Sequence, residues 1–421
     1  MRGAPLQPPW GHGPAGPGEE GFVHWLTSRI GEHARRAVRH DTPLAECGLD
    51  SVALLGVFGD IEEKCGRLLA PGDLRELATV RDLARHLLRR AGASAAGPGS
   101  DLRVAFVFTG QGCQHPRMTA GLHDDLAAYR NHLTAAAAAL APQLGWDVVS
   151  LILSGDPRIH QTAFTQPALF AVQYALARTL VQEEEVRPVA VLGHGVGELA
   201  AATAAGSLTL AEAARMVSFR ATLMQYLPSG GGMLATCASP YQAAEVIATE
   251  SRVHLAAVNA AQATVLSGDT AGLERTAARL AEQGIASRPL PVSHAFHSPL
   301  MEPMAARFEE AARHVPGRAP SVPYYSTVYG RELSTAPRAD YWSRQLTSPV
   351  RFADAARALF TERRPTHVVE IGPKAVLTPF LRRLGGPAGP RCMAACTGPE
   401  SDAVTLAGVL SELNAGPLAE T

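Results

Sequence analysis

The segment Gly193–Ala202, GHGVGELAAA, has the form of a nucleophile elbow without a nucleophile. The pattern G-x-S-x-G marks a sharp strand-to-helix turn that lifts a serine hydroxyl above a parallel sheet, where it attacks an acyl carbon. Here the central position is Gly195, which has no side chain. The flanking sequence supplies what the turn requires: RPVAVLG (Arg187–Gly193) reads as a buried strand and ELAAATAAG (Glu198–Gly206) as a helix. A serine at an elbow sits in strained backbone that costs on the order of 1–3 kcal/mol, whereas glycine accepts that geometry freely. Gly195 therefore keeps the turn and removes the attacking oxygen. No neighbour replaces it: Ser207 closes the helix, Ser293 and Ser298 flank a histidine cluster, and Cys113 lies on a different strand end.

The elements around this turn fall into zones. A Pro- and Gly-rich stretch, 1–20, reads as a disordered leader without the apolar core of a signal peptide. Residues 21–91 carry helical patterning in FVHWLTSRIGEHARRAV, VALLGVFGDIEEKCG and TVRDLARHLLRRAG. Small residues at 92–101 read as a flexible linker. From 102 to 395 short buried strands, RVAFVF first and THVVEIG late, alternate with helices, which predicts an α/β fold with a mainly parallel sheet. Residues 396–421 supply one more amphipathic helix, Val404–Leu413, and a tail.

Composition narrows the function classes. The chain of 421 residues is 46% apolar and 18% charged with net charge −1, so nucleic acid is not an expected partner. The alanine-rich stretch Leu133–Leu140 is far shorter than the roughly 20 residues that cross a bilayer, and no membrane association is expected. Six scattered cysteines, of which only Cys392 and Cys396 are close, predict no metal site and reduced thiols in the cytoplasm.

Two resemblances give these residues roles. The segment DTPLAECGLDSVALLGVFGDIEEKCG resembles the acyl carrier protein family, whose attachment signature appears as Gly48-Leu49-Asp50-Ser51-Val52. A bare Asp-Ser pair does no more than cap a helix; in a bundle of three or four helices the resemblance implies a 4′-phosphopantetheine arm on Ser51. A helix N-terminus is a favourable seat for the phosphodiester, and Leu44 and Leu49 are expected to plug the bundle. The acidic run usual on the second helix is thin, reduced to Asp60, Glu62 and Glu63.

The large zone resembles the malonyl-type acyltransferase family of fatty-acid and polyketide synthesis. The motifs are TGQGCQ (Thr109–Gln114), GHGVG, SFRATLMQ, SHAFHSPLMEP, YWSRQLTSPVRF and EIGPKAVLT, in that order. The resemblance implies an α/β-hydrolase-like body with an inserted ferredoxin-like subdomain at about 232–293. It implies His297 as the general base, oriented by a backbone carbonyl near Asn259 or Lys374–Ala375, and the N–H groups of Gln111 and Val196 as the oxyanion hole. Arg220 would clamp the free carboxylate of a malonyl group in a bidentate pair. His194 would line the pocket, and Phe296 in His294-Ala295-Phe296-His297 would narrow it against an α-methyl, a selection worth only about 1–3 kcal/mol.

The expected function is thus a carrier domain joined to an acyltransferase domain, moving a malonyl-type group from malonyl-CoA or another acyl-CoA to acyl carrier proteins of polyketide synthase subunits. With Gly195 in place of serine the acyl-enzyme route is closed. The alternatives are a non-catalytic scaffold in which only Ser51 functions, or a slow thioester hydrolase in which His297 activates water.

Overall fold

Val104–Phe108 (β1) is buried at every residue, as a strand covered on both faces must be. In the computed structural model of the protein, which describes residues 19–34, 36–47, 57, 60–61, 79–85, 87, 102–182, 185–398 and 403–414, this strand lies at the centre of the larger of two sheets. The further strands are Pro188–Gly193 (β2), Gly231–Thr236 (β3), Val253–Ala260 (β4), Ala263–Asp269 (β5), Ser287–Pro289 (β6), Tyr324–Ser326 (β7), Arg331–Glu332 (β8), His367–Ile371 (β9) and Arg391–Ala394 (β10). The larger sheet runs β10-β9-β1-β2-β7-β8. All its pairings are parallel except the edge pair β7–β8. Alternation of strand and helix along the sequence predicts this sheet, because parallel neighbours need crossover connections.

The smaller sheet, β4-β5-β3-β6, is antiparallel throughout. Its chain order is strand, helix, strand, strand, helix, strand, with Pro240–Ile247 and Thr270–Glu282 as the helices. That order and pairing is the ferredoxin-like arrangement, inserted between β2 and β7 of the larger sheet. It has its own core of Leu234, Val246, Val253, Leu266, Leu273 and Leu280. The insert is stitched to the body where β4 meets Val350: the Val258 N–H donates to the Val350 carbonyl at 2.9 Å, and the Val350 N–H to the Ala256 carbonyl at 2.8 Å.

The chain divides into two compact units, Met1–Leu102 with Leu406–Thr421, and Arg103–Thr405. In the first, the helix Glu19–Ala34 (α1) contributes Phe22, Val23, Leu26 and Ile30 to a core shared with Cys47, Val57, Ile61, Val80, Leu83 and Leu87. Leu44 packs against this core as expected. Gly48, Leu49, Asp50, Ser51 and Val52 lie outside the described residues. The helix expected at Val404–Leu413 is present as Ala403–Asn414. Among the described residues no single helix is long and apolar enough to cross a membrane, and no group of metal-ligating side chains is found.

Three helices of the second unit position the site. Thr162–Gln182 (α2) is buried on nearly every side. Gly197–Ala204 (α3) follows the elbow. Leu210–Gln225 (α4) begins with a capping box: the Glu212 N–H donates to Thr209 Oγ1 and the Thr209 N–H to Glu212 Oε2, which satisfies two of the helix's orphan donors.

Candidate active site

Strand β2 ends at Gly193, and the chain turns through His194, Gly195 and Val196 into α3. The turn is closed by the His194 N–H donating to the Phe108 carbonyl at 2.9 Å and the Gly197 N–H to the His194 carbonyl at 2.9 Å. Gly195 has φ +55°, the left-handed backbone in which any side chain is strained. Gly197 is required for another reason: a Cβ there would lie 2.4 Å from the Thr109 carbonyl oxygen. The elbow therefore keeps its tight contact with β1 although its central side chain is missing.

The direction of that missing side chain is defined. A Cβ on Gly195 would stand 3.2 Å from His297 Nε2. His297 is 8% exposed and has φ +58°, so its own backbone is held in a strained conformation. Burial, with Arg220 and His194 nearby, pushes its pKa down to about 3, so the imidazole is neutral at pH 7 and able to accept a proton. The carbonyls that face the ring belong to Gln345 and Ser348, and Nδ1 is buried without a hydrogen-bond partner. These two carbonyls lie near the end of the helix Ala339–Thr347 (α5) and on the residue after it. Asn259 has a different partner because β4 aims it at the elbow: its Oδ1 is 3.0 Å from Nε2 of His194. His194 is partly buried and tied across to the inserted subdomain, and burial lowers its pKa while Asn259 opposes the shift.

Arg220, on the inner face of α4, is 3% exposed. Its Nη2 donates to Gln345 Oε1 at a long 3.4 Å, and its Nε is buried without an acceptor. Desolvation lowers its pKa to about 9, against the field of Glu198, so it stays charged at neutral pH. A buried guanidinium with an unmade hydrogen bond is an anion receptor in waiting.

The opposite wall is the loop after β1. Gln111 donates to Thr162 Oγ1 and accepts from Gln166, both at 3.3 Å. Gln173, buried in α2, donates to the Thr109 carbonyl at 2.7 Å and to Thr109 Oγ1 at 2.9 Å. Among the described residues the N–H groups of Gln111 and Val196 have no acceptor within the chain, as an oxyanion hole requires. Phe296 is buried, and His294 is held by Ser293 Oγ at 2.7 Å and the Leu227 carbonyl at 3.2 Å. Cys113 is buried, donates to Thr109 Oγ1 and the Gly110 carbonyl, and has its pKa pushed up to about 12 by burial. It is a packing thiol.

Two residues that were not singled out in the sequence carry much of the geometry. Gln345 Nε2 donates to the Gly195 carbonyl at 2.7 Å while its Oε1 meets Arg220, so one side chain spans the elbow and the receptor. Glu198, fully buried at the start of α3, accepts from the Thr327 N–H at 2.7 Å and from Thr327 Oγ1, Tyr341 and Tyr324 hydroxyls. Burial raises its pKa. Tyr341 and Gln345 are one turn apart on α5, so Glu198 anchors the helix that carries Gln345. A glutamate in an otherwise apolar elbow helix is the one signal that sequence offered; its partners lie 126–143 residues away.

A strand-turn-helix elbow, a neutral buried histidine aimed at its apex, free N–H donors on both sides and a buried cation thus lie together on one α/β body. The chain belongs to the acyltransferase domain family, whose model matches residues 105–394; residues 24–87 match the phosphopantetheine attachment site family. It is 40% identical over 320 residues to the phenolphthiocerol synthesis polyketide synthase type I Pks15/1 of Mycobacterium marinum, covering 75% of this chain and 15% of that one. It is 34% identical over 379 residues to the pikromycin polyketide synthase component PikAII of Streptomyces venezuelae, covering 87% of this chain and 10% of the relative. The chain thus spans a small part of either relative. Among solved structures, the acyltransferase domain from the second module of the salinomycin polyketide synthase superposes with TM-score 0.70 at 37% identity, over 78% of this chain and 79% of that domain. A malonyl-CoA:acyl carrier protein transacylase from Xanthomonas oryzae gives 0.68 at 30% identity, over 75% and 99%.

Proposed function

We propose that the cleft binds a malonyl-type acyl thioester and that this chain, with Gly195 at the elbow, forms no acyl-enzyme. The observation that carries the reading is Arg220: a buried, charged guanidinium without a carboxylate partner, tied through Gln345 to the elbow. A free carboxylate on the acyl group would complete its hydrogen bonds in a bidentate pair. The thioester carbonyl would then lie at the elbow, its oxygen toward the N–H groups of Gln111 and Val196. Neutral His297 would hold a proton acceptor at Nε2, facing the place where the family pattern has a serine hydroxyl. With that oxygen absent there is no covalent step for these groups to serve, and loss of such a nucleophile costs many powers of ten in turnover. Malonyl-CoA and carrier-bound malonyl thioesters are the proposed ligands, and the carrier proteins of a polyketide synthase the proposed partners.

In the same reading Ser51 carries a 4′-phosphopantetheine arm, which when attached supplies a terminal thiol for thioester chemistry. The family match over residues 24–87 and the bundle core around α1 support this.

The test is loading with radiolabelled malonyl-CoA. The chain as it stands binds malonyl-CoA but shows no acid-stable label on the large unit, and Gly195→Ser introduces a label that His297→Ala abolishes. Label on the large unit without the serine, or none with it, overturns the reading. Phosphopantetheinylation is read separately as a mass increase that Ser51→Ala removes.

A further inference from the structure

At the end of β2 remote from the elbow lies a second cavity, of about 630 Å3. It is bounded by α2, the start of β2, the distal half of α3 and the chain around Leu208 and Val322. The size is that of small-molecule sites, which lie mostly between about 300 and 1,000 Å3. Its walls are largely aliphatic, with Ala200, Ala204, Leu208 and Val322 among them, and among the described residues the only charged ones lining it are Arg178 and Arg187. Among the described residues no carboxylate lines it. Among the described residues neither guanidinium takes part in an ion pair, and Arg178 Nε is buried with no hydrogen-bond partner. A buried guanidinium nitrogen left without an acceptor is rare in folded proteins and calls for a missing partner.

We propose that this cavity is a second binding site, for a small amphipathic anion with a carboxylate head and an aliphatic tail, of the medium-chain fatty-acid type. Arg178, on α2, receives the carboxylate on the outer nitrogens of its guanidinium. Arg187, exposed at the entrance to β2, adds a second positive charge at the mouth. The tail lies along the alanine and leucine walls, which gain by losing contact with water. A bare inorganic anion makes the first contact without the second, and a neutral alcohol the second without the first, so neither satisfies the cavity.

The probe is octanoate, titrated calorimetrically into the full chain carrying Arg220→Gln, which removes the anion receptor of the elbow cleft. Octanoate binds saturably at one site, octanol and inorganic phosphate bind at least tenfold more weakly, and Arg178→Gln or Arg187→Gln weakens octanoate at least tenfold. Arg187 is exposed, so its variant remains readable should Arg178→Gln disturb folding. Absence of saturable octanoate binding, or binding that neither variant weakens, overturns the site; phosphate or octanol matching octanoate overturns the ligand class. Because the cleft receptor is disabled throughout, the result is independent of malonyl binding at Arg220.

Discussion

His297 Nε2 stands 3.2 Å from where a Cβ on Gly195 would lie. The His297 ring and the apex of the elbow are thus in register. The alignment is held from outside both residues, by Gln345 on the Gly195 carbonyl and by the inserted subdomain through Asn259 and His194.

Gly195→Ser is expected to lower stability while placing a hydroxyl at the apex of the elbow. With φ +55° at this position, a side chain costs on the order of 1–3 kcal/mol of backbone strain. The melting temperature of the large unit should fall by a few degrees relative to the unsubstituted chain; an unchanged or raised value would show that the elbow relaxes out of the left-handed region.

Arg220→Gln should weaken malonyl-CoA far more than acetyl-CoA. A charge-assisted hydrogen bond is worth about 1.5–3 kcal/mol, so a loss of roughly 10- to 150-fold in malonyl-CoA affinity is expected by calorimetry. Equal losses for both ligands would mean that the arginine shapes the cleft without reading the carboxylate.

The buried histidine sets an acid limit. His297 has a folded-state pKa of about 3 against an ordinary 6.5, so below 6.5 the unfolded chain binds a proton that the folded chain refuses. Its contribution to stability is present in full above about 6.5 and is lost as pH falls toward 3. His297→Gln should flatten the decline in chemical-denaturation stability across that window. An equally steep profile in the variant would assign the acid sensitivity to other groups.

Glu198→Ala should cost on the order of 3 kcal/mol, because it leaves the Thr327 N–H and the Tyr324 and Tyr341 hydroxyls buried with lost partners. Glu198→Gln, which keeps the volume and an acceptor oxygen, should recover much of this. Denaturant midpoints of the two variants decide the matter; no difference between them would reduce Glu198 to a space-filler.

Much of the fold was legible in local pattern. The uniformly apolar run at Val104–Phe108 became the central parallel strand, since a strand covered on both faces has no polar side to show. The elbow could be placed to the residue because glycine spacing reports close approach of backbone directly. The roles of Asn259 and Gln345 were not legible. The Asn259 side chain holds His194, and Gln345 carries no motif signature of its own within YWSRQLTSPVRF. Neither has a local signature, because each acts on a partner 65 or more residues away, through a contact that depends on how β4 and α5 dock against the elbow.

By itself the sequence determined the alternating α/β body and the lack of a side chain at position 195, both of which are properties of residue type and spacing along the chain. Only the tertiary structure decided where a side chain at position 195 would point, which carbonyls face His297, and that Arg220 is buried with its Nε unpartnered. Those depend on distances between segments far apart in sequence, and burial and pKa arise only once such segments exclude water from one another.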